Sequence, residues 1–284
     1  MAVRLTSFDQ AHDFLASAGG MLYGRETVHN LILGVSERLD KDPTAYENPF
    51  FAIVETDSGE VILAAVMTPP HNLILAGEEQ VELGFPPLIE HLQNHNILIP
   101  GVIAPSQIAD QFVHVWKHHV GQDGKVNMRM RVYELRQVDM PPLPPGGFRR
   151  ATKQDIPTIA SWLQAFTLEA LGESEEIDLD RAENFVTSGK VFIWERDKAI
   201  VSMAMQTRPI AHSVSVSGVY TPPKHRRQGY AGALVAHLSQ HLLDEGYRFV
   251  NLFTDLDNPT SNKIYQEVGY HPVCDYRSYC FNQS

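Results

Sequence analysis

Cysteine is nearly absent from this chain: 284 residues contain only Cys274 and Cys280. Two thiols six residues apart late in the chain cannot build a disulfide framework, and they read as ordinary strand residues. Nor is there an apolar run of about 18 residues, which excludes a membrane-spanning helix. The N-terminal stretch MAVRLTSFDQAHDFLASAGG carries acids and lacks a continuous apolar core, so it is not a secretory leader and a cytoplasmic setting is expected. Basic charge is also short, 23 Lys and Arg against 34 Asp and Glu for a net charge of −11, which argues against nucleic acid as a partner. Low-complexity tracts are missing. With 43% hydrophobic and 20% charged residues, the composition is that of a globular protein with one large core or two modest ones.

Against this background one run stands out, VYTPPKHRRQGYA from Val219 to Ala231. The preceding SVSVSGV alternates small polar and apolar residues as a half-buried strand does, and Pro222 and Pro223 then forbid further ladder bonding. From Tyr230 the apolar residues Leu234, Val235, Leu238, Leu242 and Leu243 recur near a 3.6-residue period up to Gly246, predicting a helix. The first amides of a helix have no intrahelical partners and carry the positive end of its dipole, and Gly229 and Ala231 leave room for a phosphate. Arg226 and Arg227 add positive charge. A Walker loop is excluded because no Lys-Ser or Lys-Thr follows, and a dinucleotide fingerprint because the glycines are too few. A calcium loop from Asp255 fails at Thr260 and Gln266, where Gly and Glu are required.

The order strand, R-x-x-G-x-A, helix, read at Arg226, Gly229 and Ala231, resembles the acyl-CoA signature of the GNAT superfamily of N-acyltransferases. A second block also resembles it. After the strand RFVNLFTD, Asn258 is followed seven residues later by Tyr265 and then by Gly269-Tyr270. The resemblance implies acetyl-CoA as co-substrate, held by the end of the strand at Val219, Tyr220 and Thr221, by the loop and helix start at Arg226, Arg227, Gln228, Gly229, Tyr230, Ala231 and Gly232, and by Asn258 on the pantetheine arm. It implies that the strand ending at Thr221 splays from its neighbour, so that free amides pair with pantetheine and polarise the thioester carbonyl. Tyr265 is the candidate general acid, a phenol near pKa 10 facing a departing thiolate near 8.5. Asn258 also reads as an Asn-Pro turn starter, and Tyr265 as a packed helix tyrosine.

Several superfamily members place a Glu on the strand leading into the loop. Here that strand offers Ser213, Ser215 and Ser217, which are not strong bases, leaving water, His212, Glu169 or Glu173 to take the amine's proton. No residue reads as an activated nucleophile, so direct transfer to an amine-bearing acceptor is expected. A non-catalytic acyl-CoA-binding sensor or scaffold is the alternative. The pairs His91/His95, His114/His118 and His237/His241 have a chelating spacing but no H-E-x-x-H glutamate or third ligand, so no metal is expected.

MPPLPPGG (Met140–Gly147) packs four prolines and two glycines into eight residues and reads as a linker. Residues 148–284 are then the catalytic domain, 141–147 the linker, and 1–140 a first domain. That domain repeats the punctuation: a helix near Asp9–Ala18, another near Thr27–Leu39, a hairpin around Asp57-Ser58-Gly59, a strand NLILAG, a helix PPLIEHLQNHN, strand and helix again, and a last strand VNMRMRVYEL. Where the second half has its arginine and glycine loop, this half has GEEQVELG, whose three glutamates would repel a phosphate. The expected fold class is α/β with a mixed sheet in two GNAT-like domains, the first a degenerate copy on the substrate side; an unrelated α/β domain is the other reading of this half. Asp155 and Asp178 are expected helix caps. The acidity is concentrated in the first half, with 18 acids and 9 bases up to Phe148 against 16 and 14 beyond, a distribution that suits a solvated surface or a cationic acceptor. The chain is expected as a monomer or homodimer without membrane partners.

Overall fold

The computed structural model describes residues 2–172 and 179–281; the expected cap Asp178 and the candidate base Glu173 lie outside them. The chain divides into two compact units, Met1–Val132 together with Val273–Ser284, and Tyr133–Pro272. The chain enters the second unit inside the strand β6 (Gly124–Leu135) and leaves it inside the last strand β12 (His271–Phe281). Burial explains both crossings. Tyr133 and Leu135 at the end of β6 sit in the second unit's core, whereas Tyr279 and Phe281 of β12 sit in the first. The Pro/Gly segment is a connector within the second unit, held by Trp194 Nε1 donating to Pro145 O at 3.2 Å.

In the first unit, β1 (Val3–Phe8), β2 (Phe50–Thr56), β3 (Val61–Met67) and β4 (Leu73–Gly77) pair antiparallel in that order. β4 then runs parallel to β5 (Gly101–Pro105), and β12 lies antiparallel on β5. α1 (Ala11–Gly24) and α2 (Asn30–Lys41) connect β1 to β2, α3 (Phe85–Asn94) connects β4 to β5, and α4 (Ser106–Val120) follows β5. The hairpin falls where expected, with Gly59 at φ 81° and its N–H donating to Thr56 O at 2.9 Å. β1 is an addition to the sequence reading. Its residues are at most half-buried, so the edge strand carries only a weak apolar alternation.

The second unit repeats the order. β7 (Gly147–Arg150), β8 (Val191–Arg196), β9 (Ala199–Thr207) and β10 (Ser213–Tyr220) pair antiparallel, and β10 runs parallel to β11 (Phe249–Asp255). α5 (Ile156–Leu171) and α6 (Leu179–Thr187) connect β7 to β8, α7 (Tyr230–Asp244) connects β10 to β11, and α8 (Pro259–Glu267) follows β11. Two cores result. α7 buries Leu234, Leu238 and Leu242 against Val214, Val216, Val250 and Leu252, each leucine contributing about 1.5–3 kcal/mol of apolar burial. Ile159, Leu163 and Met203 form the other core, with Tyr220.

Asp155 caps differently from expectation. It is the third residue of a capping box, its carboxylate accepting from the Thr152 N–H at 2.6 Å and from the Thr152 hydroxyl at 2.9 Å. Arg149 also donates to it at 2.7 and 3.0 Å. Burial opposes the carboxylate's charge, and these donors more than offset it, holding Asp155 below the usual carboxylate range.

Candidate active site

The site grows from the way β10 ends. Its parallel register with β11 covers Ser213–Ser215 against Phe249–Asn251, while β10 continues to Tyr220 and β11 to Asp255. The two strands part beyond Ser215 and Asn251, which is the splay the resemblance implies. At the fork the fully buried Asn251 donates from Nδ2 to Ser213 Oγ at 3.2 Å and accepts the Ser215 hydroxyl at Oδ1. The serines thus have a structural use at the fork.

On its other side β10 bulges. Between Ser217 and Tyr220 it spends one residue more than β9, and Gly218 takes φ 59°, a conformation that side chains rarely adopt. The extra residue inverts the alternation. Val214 and Val216 face α7, and Tyr220, which an unbroken strand would place beside them, packs instead with Ile159 and Leu163 of α5. Ser202 pins the strand end, its hydroxyl donating to Tyr220 O at 3.2 Å and lying 2.9 Å from Thr221 Oγ1.

After Thr221 the prolines start a short 3₁₀ turn at Pro223–His225, and Arg227 and Gly229 then take φ 58° and 83°. Gly229 is the residue before α7, and no side chain caps the helix. The first-turn amides of Tyr230, Ala231 and Gly232 are therefore left to a ligand or solvent. Arg227, Gln228 and Gly229 are exposed. Tyr230 is buried by its ring, whose hydroxyl accepts from Arg196 Nη1 at 2.7 Å, so only its backbone belongs to the site.

Arg226 does not point outward as a lone cation. Its Nε donates to Thr221 O at 2.8 Å, and its Nη2 donates to Glu169 of α5. Glu169 also accepts the Tyr220 hydroxyl at 3.2 Å. Burial is the main cause that lifts the Tyr220 phenol above its ordinary range, with the Glu169 charge adding to it. Of the candidate bases, Glu169 is thus brought to the loop. His212 is not: it precedes β10, so at about 3.3 Å per residue the strand separates it from Thr221 by roughly 25–30 Å.

Asn258 and Tyr265 stand beyond the end of β11. Asn258 is the N-cap of α8, its Oδ1 accepting from Ser261 N at 3.1 Å, so the turn-starter role is present. Its side chain is exposed. Tyr265 is buried at 8% exposure, with its ring edge-on to Tyr270 at 6.1 Å. Burial pushes its phenol up to about 12, against a smaller opposing effect of a hydrogen bond with Ser261. The sequence reading missed Asn262, which ties α8 to the strand by donating to Asp255 O and Asn258 O, both at 2.8 Å, and accepts the Tyr133 hydroxyl at 3.1 Å. Its only signal is a second Asn four residues after the first.

The first unit closes the equivalent place. β4 ends at Gly77, where a Cβ would lie 2.4 Å from Val81 and 2.6 Å from Ile62 O, so the chain folds tightly back. Glu78 follows and pairs with Arg25 at 3.0 Å. α3 begins with Phe85-Pro86-Pro87, and prolines have no N–H to offer an anion. The histidine pairs lie on helices, except that His95 is the residue just after α3: His91 and His95 stack at 4.1 Å, His114 and His118 are tilted at 4.8 Å, and His237 stacks on Phe148 at 5.7 Å. Among the described residues no three His, Cys, Asp or Glu side chains converge as a metal site.

Residues 156–270 match the family model described as Acetyltransferase (GNAT) family. This chain carries a GNAT acetyltransferase domain. The matched span runs from α5 through the splay, the loop and α7 to Tyr270, so acyl-CoA-dependent N-acyl transfer is the chemistry of the domain that holds these residues. No curated protein matches the sequence at a significant level. Among solved structures, a GCN5-related N-acetyltransferase from Sphaerobacter thermophilus is similar with a TM-score of 0.64 at 16% identity, over 97% of this chain and 94% of that one. A tandem GNAT protein from the clavulanic acid biosynthesis pathway has a TM-score of 0.58 at 13% identity, over 98% of both chains. A GNAT-family acetyltransferase from Colwellia psychrerythraea has a TM-score of 0.57 at 10% identity, over 98% of this chain and all of the other. At such identities the likeness is one of fold, and it extends beyond the GNAT domain into the first unit.

Proposed function

We propose that the second unit transfers an acetyl group from acetyl-CoA directly to a primary amine within a ternary complex. The observation that carries the proposal is the fork of β10 and β11 opening toward an uncapped helix start with glycine in the left-handed conformation. A long ligand with amide groups at one end and phosphates at the other suits such a path. The backbone of Val219, Tyr220 and Thr221 would pair with the pantetheine amides, and that of Arg227, Gln228, Gly229, Tyr230, Ala231 and Gly232 would hold the pyrophosphate. Asn258 keeps an exposed amide beside the end of β11 for the pantetheine arm.

Tyr265 is the proposed general acid. A phenol lifted to about 12 is protonated throughout the physiological range, the state an acid must start from. The same burial makes it a weaker acid toward a thiolate of pKa about 8.5, so the transfer is uphill and must be drawn on by departure of the thiol. The acceptor amine must be neutral when it attacks, and no carboxylate stands on β10 to deprotonate it, so its proton is assigned to solvent.

The test is thiol release from acetyl-CoA with a panel of amines, comparing the native protein with Tyr265→Phe. Amine-dependent release that falls at least tenfold in the variant supports the reading. The rival, a non-catalytic acyl-CoA sensor, is favoured by the serines in place of a strand carboxylate. It takes over if acetyl-CoA protects the protein from heat while no amine stimulates release.

A further inference from the structure

Among the described residues, Glu169 is the carboxylate that the fold brings onto the signature loop. It projects from the last turn of α5, on the opposite side of the sheet from α7, and it engages two different parts of the site at once. One carboxylate oxygen accepts from Tyr220 at the end of the bulged strand, the other from Arg226 at the start of the signature. Arg226 in turn donates to Thr221 O at 2.8 Å, closing a ring of contacts around the 3₁₀ turn at Pro223–His225. Its guanidinium also lies 5.9 Å from the centroid of the Tyr220 ring. Arg227, the neighbouring cation, is exposed and is set apart by its left-handed backbone.

We propose that Glu169 is a positioning residue that clamps Arg226 and Tyr220 so that the cofactor loop is preformed, leaving Arg227 as the cation that meets the phosphates. The proposal rests on the acetyl-CoA reading above. Both arginines are exposed, but a guanidinium already shared between a carboxylate and a carbonyl has fewer donors left for a phosphate. A loop whose first residue is tied to the strand loses little entropy when a ligand binds. Both carboxylate oxygens of Glu169 are moreover engaged by donors, which separates this role from that of a base.

The experiment compares Glu169→Ala, Glu169→Gln and Arg227→Gln in the full chain by hydrogen exchange without ligand, by acetyl-CoA binding at low and high salt, and by turnover at saturating acetyl-CoA. Glu169→Ala should speed exchange across residues 221–229 without affecting the middle of α7. It should also weaken acetyl-CoA binding about tenfold, the effect of losing hydrogen bonds to a charged group, while turnover stays within about threefold. Glu169→Gln, whose amide still reaches both partners, should recover most of the loss. Arg227→Gln should weaken binding with normal loop exchange, and its binding should depend less on salt. Unchanged exchange in Glu169→Ala overturns the clamp. So does a hundredfold loss of turnover with unchanged affinity and an altered pH profile, which would make Glu169 a proton acceptor. If the native protein fails to bind acetyl-CoA, the functional reading falls, and the exchange data alone then decide the clamp.

Discussion

Gly229 offers the cleanest test of the proposed anion site, because its surroundings separate strain from charge. Its φ of 83° is a left-handed conformation costing an ordinary side chain about 1–2 kcal/mol, with Asn and Asp among the best tolerated. Space is not limiting, since a Cβ there would meet nothing closer than Pro144 at 3.9 Å. Gly229→Asn therefore supplies shape and strain without charge, and Gly229→Asp adds one carboxylate at the start of α7. A unit charge about 4 Å from a phosphate costs about 1 kcal/mol in bulk water and about 4 kcal/mol at an effective dielectric constant near 20. The Asp variant should thus bind acetyl-CoA roughly 5- to 1,000-fold more weakly than the Asn variant, with the gap shrinking as salt rises. Titration calorimetry at two ionic strengths measures it. Equal affinity of the two variants would refute a phosphate at this helix start.

Three further outcomes are expected. Tyr265→Phe should lower turnover by tenfold or more while acetyl-CoA affinity changes by less than threefold, as read from initial rates and binding on the same preparation. Because burial raises the Tyr265 phenol from about 10 to about 12, its contribution to stability is complete below pH 10 and is lost as pH rises toward 12, about 3 kcal/mol in all. Urea midpoints at pH 8 and pH 11 should therefore fall further in the native protein than in Tyr265→Phe. Asn251→Ala would leave the buried Ser213 and Ser215 hydroxyls without their shared partner and should cost about 2–4 kcal/mol in urea unfolding, with loss of acetyl-CoA binding only as the protein unfolds.

Much of the second unit could be read in advance, because its elements carry strong local signals. SVSVSGVY is β10 to the residue, and the helix beginning at Tyr230 is set by Gly229 before it and the leucine spacing within it. Asp155 shows where such reading stops. Its sequence position suggests a helix cap, yet it works from inside the turn for Thr152 and Arg149, a choice that depends on a strand neighbour as well as on spacing. Likewise the serines of β10 look weak as bases on chemical grounds, while their pairing with Asn251, more than thirty residues away, needs the parallel strand to be in place. The edge strand β1 escaped because it has no fully buried residue to mark it.

The sequence by itself determined the order of most elements, the proline, arginine and glycine make-up of the loop before α7, and the absence of an equivalent loop after β4. These follow from residue type and short spacing: proline ends a strand, glycine adopts a left-handed turn, and glutamates repel phosphate. Tertiary structure alone decided where the units divide and what Arg226 touches. The division depends on which core buries the apolar residues of β6 and β12, a competition between distant surfaces that alternation along a strand cannot express. Arg226 depends on the bulge at Gly218, which turns Tyr220 toward α5 and brings the loop to Glu169, 57 residues earlier in the chain.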